Sequence, residues 1–98
     1  MVYLKLYWIH KKNNLPYIIY SELDEDRFEV RKVYIYKDSK MLYVSKIEVS
    51  SSSIFLSDQV IPQIDIIERS GNIDNIFKAS IIKQSQFEDV WNKAIEQN

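Results

Sequence analysis

The chain has 98 residues, 46% of them apolar and 28% charged, with a formal net charge of -1 and no cysteine. That is the length of one domain with an ordinary core, and the charge balance steers it toward neither nucleic acid nor an anionic membrane. The missing cysteines exclude a disulfide scaffold, thiol catalysis and cysteine zinc sites, and they suit a reducing cytosol.

The N-terminal MVYLKLYWIHKK has no basic start, long apolar run or small-residue cleavage site, so a signal peptide is not expected. Apolar residues never run unbroken for the ~20 positions of a membrane helix, so a soluble, cytoplasmic protein is expected. Tyr3 to His10 is dense in Tyr, Leu, Trp and Ile and predicts a strand. Leu4, Leu6 and Trp8 share one face of it, with Tyr3, Lys5 and Tyr7 on the other. Lys11-Lys12-Asn13-Asn14 signals a turn, and Pro16 favours an extended start to a second strand, Tyr17 to Leu23. Asp24-Glu25-Asp26 marks the next turn. Lacking glycine, it disfavours a tight mirror-type turn unless Asp takes positive φ.

Phe28 to Tyr36 predicts a third strand with an internal irregularity. Phe28 and Val30 share one parity, Val33 and Ile35 the other. Period two cannot keep both pairs in one core, so either a β-bulge or sharp bend lies near Arg31-Lys32, or both faces are covered. Lys37-Asp38-Ser39-Lys40 predicts a hairpin turn into a fourth strand, Met41 to about Val49. Ser50 to Ser53 predicts an exposed loop.

The second half turns helical. Pro62 suits the first turn of a helix, with Ile64, Ile67 and Ile66 as candidates to face inward. Gly71, the only glycine, stands where a C-terminal cap would stop that helix. Phe77 to Lys83 predicts a last strand. Ser85 and Glu88 form an S-x-x-E capping box, and Phe87, Val90, Trp91, Ala94 and Ile95 follow helical spacing. These elements imply a single α+β domain over residues 1–98, ordered β-β-β-β-α-β-α. In it a curled antiparallel sheet of four to five strands is packed by the amphipathic C-terminal helix.

Chemistry has one concentrated address. Glu22, Asp24, Glu25, Asp26 and Glu29 place five carboxylates within eight positions, beside Arg27, Arg31 and Lys32. Their spacing fits no EF-hand loop, whose glycine is missing, so no metal site is expected. General acid–base work would need burial to shift a pKa. A solvated turn and a protein-binding surface are the two plain readings. Arg31 either pairs across the sheet with Glu22 or Glu29, or grips a partner's carboxylate or phosphate. A nucleic-acid or ligand platform of Tyr7, Arg31, Tyr34 and Tyr43 is the alternative, although the carboxylates would repel phosphate.

His10, the only histidine, reads as a strand-end imidazole bonded to the adjacent turn, and Trp8 reads as core. A single glycine allows no phosphate-binding loop, and no G-x-S-x-G elbow exists. An enzyme centred on His10 and Glu22 is the weakest reading, and no cofactor is expected. The favoured reading is a non-enzymatic protein-interaction domain. It contacts its partner through Glu22, Asp24, Glu25, Asp26, Arg27 and Arg31, with Tyr34 and Tyr36 as anchors.

YLKLYWIH, PYIIYSELDEDRFEVRKVYIYKDSKMLYVS, IPQIDII and QFEDVWNKA together resemble a family of small bacterial domains of unknown function. Its pattern reads W-I-H, then Y-S-E-x-D-x-x-R-x-E-x-R-K-V, a D-G turn, an I-P helix and an E-F-x-x-x-W tail. Trp8, His10, Tyr20, Glu22, Asp24, Arg27, Glu29, Arg31 and Lys32 fall on it. Asp38-Ser39 departs from the D-G turn, and the serine run departs from a more glycine-containing loop. The resemblance carries no activity. By size and style the family is similar to immunity proteins that neutralise toxins, which implies a basic toxin domain as partner.

Overall fold

The computed structural model describes residues 1–98. Its elements run β1 (Val2–Ile9), β2 (Ile18–Leu23), β3 (Glu29–Ile35), β4 (Met41–Ser45), α1 (Ile64–Arg69), β5 (Ile76–Ile82) and α2 (Gln84–Gln97). The five strands form one open antiparallel sheet in the order β4-β3-β2-β1-β5. The α+β order β-β-β-β-α-β-α is the expected one.

Both faces of the sheet are covered. On one, α2 buries Phe87, Trp91 and Ala94 against Tyr3, Ile18, Tyr20, Val33 and Met41. On the other, the chain leaving β4 returns across the sheet and buries Ile54 against Tyr36, Leu42 and Val44. Period-two alternation then serves two cores, which is why β2 reads as almost continuously buried.

The anticipated bulge is present, displaced to Val30. Glu22 pairs with Arg31 but Leu23 pairs with Glu29, so Val30 has no partner in β2. The slip puts Arg31 and Val33 on the helix side while Glu29 joins Lys32 on the loop side. A regular strand would have put Glu29 and Arg31 on one face.

The two hairpins around β3 share one solution to a missing glycine. Arg27 N–H bonds to Asp24 O and Ser39 N–H to Tyr36 O, and each chain then passes a residue at positive φ, 68° at Arg27 and 73° at Ser39. This is the three-residue loop whose left-handed position normally takes glycine. The left-handed residue is therefore Arg27, not an aspartate.

Three expectations need correction. The fourth strand stops at Ser45, not Val49, because residues 46–50 fold back on its free edge. There Ser50 bonds both main-chain groups of Tyr43, and Gln97 of α2 and the C-cap residue Asn98 bond those of Met41, so the β4 edge is closed. The Ser85–Glu88 capping box does not form: α2 starts two residues earlier, with Lys83 as N-cap, Gln86 Oε1 accepts the Lys83 N–H, and Glu88 bonds Arg31 instead. Gly71 does not adopt the left-handed cap. A Cβ there would lie 2.5 Å from the Asn75 carbonyl oxygen, so close approach requires the glycine. In α1, Ile64 and Ile67 are half-buried, while Ile66 is exposed.

Candidate functional site

The charged stretch from Glu22 to Lys32 resolves into two interior ion-pair networks, one per sheet face, and an exposed turn. On the helix face, Arg31 Nε donates to Glu22 Oε1 at 2.6 Å and its terminal nitrogens donate to Glu88 Oε1 and Oε2 at 2.9 and 2.7 Å. Tyr3 hydroxyl donates to Glu22 Oε2 at 2.9 Å. Cross-strand pairing sets this up, since Tyr3, Glu22 and Arg31 are neighbours on adjacent strands. The guanidinium also lies over Phe87 and Trp91, 4.9 and 5.1 Å from their centroids. Arg31 is thus the pin between sheet and α2.

Glu22 is only 5% exposed, and an unpaired carboxylate there would be costly. The Arg31 guanidinium holds the Glu22 carboxyl below the usual range against the opposing effect of burial, and it lowers Glu88 in the same way. Burial, followed by the bond to Glu22, raises the Tyr3 hydroxyl. Each shift favours the ionisation state that keeps the network intact at neutral pH.

On the loop face, Lys32 Nζ lies 3.0 Å from Glu29 Oε1, and both residues are 6% exposed. Glu29 also accepts the Ser57 N–H at 2.6 Å, which ties the 50s segment to the sheet. Lys32 Nζ lies 5.3 Å from the Tyr34 ring centroid and 5.8 Å from that of Phe55.

The turn is braced too. Asp24 Oδ1 accepts the N–H groups of Asp26 and Phe28, each at 2.9 Å. Arg27 reaches back to the carbonyl oxygens of Ile61 and Pro62, each at 2.6 Å. Of the five carboxylates, only Glu25 and Asp26 project into solvent with no intramolecular bond to their side chains. Phe28 beside them is exposed. Antiparallel pairing brings the turn after β4 to the same end of the sheet, where Ile47 is 93% exposed.

The eight residues expected to contact a partner therefore do not form one surface. Glu22 and Arg31 face inward under α2, and Asp24 and Arg27 hold the turn. Tyr34 is half-buried and Tyr36 buried on the loop face, toward the opposite end of β3. The Tyr7, Arg31, Tyr34, Tyr43 platform does not assemble either. Tyr43 packs edge-on against Trp91 on the helix side, and Tyr34 faces away from it. His10 and Glu22 sit at opposite ends of the sheet, roughly 20 Å apart by strand rise, so no site joins them. His10 Nε2–H donates to Pro16 O at 2.8 Å and Nδ1 accepts the Lys12 N–H, fastening the strand end to its turn. Trp8 is half-buried and donates from Nε1 to Asn75 Oδ1 at 2.9 Å.

Sequence reasoning missed Glu88 and Ile47. Glu88 reads as a capping-box partner, and only tertiary packing turns it toward Arg31. Ile47 reads as strand interior, and only the fold-back after Ser45 exposes it. No three His, Asp or Glu side chains converge as a metal-binding group. No helix is long and apolar enough to cross a membrane.

The family described as Domain of unknown function (DUF6881) matches residues 2–96, and the chain belongs to it. No curated protein and no solved structure matches the chain.

Proposed function

We propose that this member of a family of unknown function is a non-enzymatic protein-interaction domain of the bacterial cytosol. Its contact surface is the sheet end that carries the β2–β3 turn. One observation supports the reading above others: the charged groups that chemistry would need are consumed in bonds inside the molecule. Glu22, Glu29, Arg31 and Lys32 hold the sheet to its two covers, and Asp24 and Arg27 hold the turn. What remains free in that stretch is Glu25 and Asp26 on a braced loop beside exposed Phe28, with exposed Ile47 on the turn after β4 at the same end of the sheet.

A preformed acidic loop flanked by apolar side chains suits a basic partner surface with an apolar recess. Preorganisation lowers the entropic cost of docking, and the carboxylates speed encounter. An immunity-type inhibitor that covers the basic groove of a toxin domain has this chemistry. Capture from the native cell with the wild type and with Glu25→Lys/Asp26→Lys tests it. A basic protein retained by the wild type and lost with the variant, at unchanged melting temperature, is the expected result. Recovery of the same proteins by both would place the surface elsewhere.

A further inference from the structure

At the opposite end of the sheet the loop face opens into a cleft of about 360 Å³, within the size range of small-molecule sites. It exists because one row of side chains across the sheet is incomplete. Trp8 and Tyr36 flank Tyr17 in register, but Tyr17 packs into the helix-side core, and Leu15 and Pro16 only partly fill the space. From this cleft we infer that the domain binds a neutral polyhydroxylated ring, a saccharide of one or two units.

The first reason is Tyr36. It is 9% exposed, yet its hydroxyl makes no hydrogen bond within the chain and is not sealed from the surface, so it opens into the cleft. The ring is held in the core while its accessible hydroxyl, unbonded within the chain, stands at the cleft wall as a fixed donor and acceptor. Burial, with the Tyr34 hydroxyl second, raises its pKa, so it stays a neutral donor well above neutral pH.

The second reason is the remaining lining. The side-chain amides of Asn13 and Asn14 and the hydroxyl of Ser53 also lack intramolecular bonds, and Asp38 and Lys40 balance each other in charge. Amides and hydroxyls that both donate and accept match vicinal hydroxyls, and a balanced lining favours an uncharged ligand. The third reason concerns Tyr36 alone: Lys40 Nζ sits 5.0 Å over its ring and Tyr34 meets that ring at 77°, which disfavours stacking of a base on it. Trp8 also lines the cleft, and titration with uridine decides whether it stacks a base instead.

The test is an amide and indole N–H chemical-shift titration of the full chain with glucose, galactose, N-acetylglucosamine and, as the competing class, uridine. Saturable shifts of the Trp8 indole and the Asn13 and Asn14 side chains with at least one saccharide are expected. Tyr36→Phe should weaken that binding about tenfold, the loss of one hydrogen bond, and Asn14→Ala should also weaken it. Both variants should keep the wild-type melting temperature, since neither side chain bonds within the chain. No shift with any saccharide, shifts with uridine alone, or saccharide binding indifferent to Tyr36→Phe would each overturn the inference.

Discussion

Replacing Arg31 with methionine keeps an apolar stem against Phe87 and Trp91 but removes the guanidinium that bonds both Glu22 and Glu88. Glu22, 5% exposed, is then left with the Tyr3 hydroxyl alone. Breaking a buried ion pair from one side costs about 3–5 kcal/mol. The Arg31 side chain is 19% exposed and that of Glu88 36%, so screening reduces the expectation to about 2–4 kcal/mol. Glu88→Gln alone should cost no more than ~1 kcal/mol, as a rim pair does. Glu22→Gln retains neutral hydrogen bonds to Tyr3 and Arg31 and should cost about 1–2 kcal/mol. In the Arg31→Met/Glu22→Gln double variant no charge is stranded, so its loss should fall short of the sum by more than ~1 kcal/mol. Urea denaturation followed by tryptophan fluorescence reads all four, because Trp91 lies against the guanidinium. An Arg31→Met loss below ~0.5 kcal/mol, or strict additivity in the cycle, would refute the pinning role.

Three further outcomes follow from the geometry. Ser39→Gly removes a side chain from a left-handed position and should raise stability by about 0.5–1 kcal/mol. Arg27→Gly relieves the same strain but loses the bonds to Ile61 and Pro62, and should instead lower it by about 1 kcal/mol; thermal melts compare the two. Gly71→Ala drives a methyl to 2.5 Å from a backbone oxygen and should cost about 1–3 kcal/mol, read by the same melts. The pH dependence has a definite sign. With the Glu22 and Glu88 carboxyls held low by Arg31, the unfolded chain binds more protons below its carboxylate pKa of roughly 4.3. Stability should therefore be full above that pH and fall as pH drops through the lowered folded values. Urea midpoints between neutral and acid pH should show a shallower fall in Arg31→Met, where the lowering cause is gone.

Element order and sheet class were legible because turn signals and periodicity act locally. The parity switch between Val30 and Val33 offered a bulge or a two-faced sheet as alternatives, and the fold has both. Helix α2 was legible from Phe87, Trp91 and Ala94 at helical spacing. Its start was not, since Ser85 and Glu88 satisfy a local rule that a long-range bond from Arg31 overrides. The acidic cluster misled for a related reason. Five neighbouring carboxylates look like one surface, but alternation and one bulge send Glu22 to one core and Glu29 to the other. Spacing cannot express that division without the register. The end of β4 and the exposure of Ile47 depend on a fold-back that Ser50 holds by bonds to Tyr43, a role that the serine run does not advertise. The cleft beside Tyr36 was illegible for a related reason, since it depends on Tyr17 packing toward the helix-side core at the strand end.

The division of the acidic cluster is tested most directly by carbodiimide labelling of carboxylates in the native chain, read residue by residue by mass spectrometry. Glu25 and Asp26 should label fast, while Glu22 and Glu29 stay protected until the chain unfolds, and a bound basic partner should protect Glu25 and Asp26 in turn. Equal labelling of Glu22, Glu25, Asp26 and Glu29 in the native chain would contradict an interior role for the first and last of them. It would return the whole cluster to the surface.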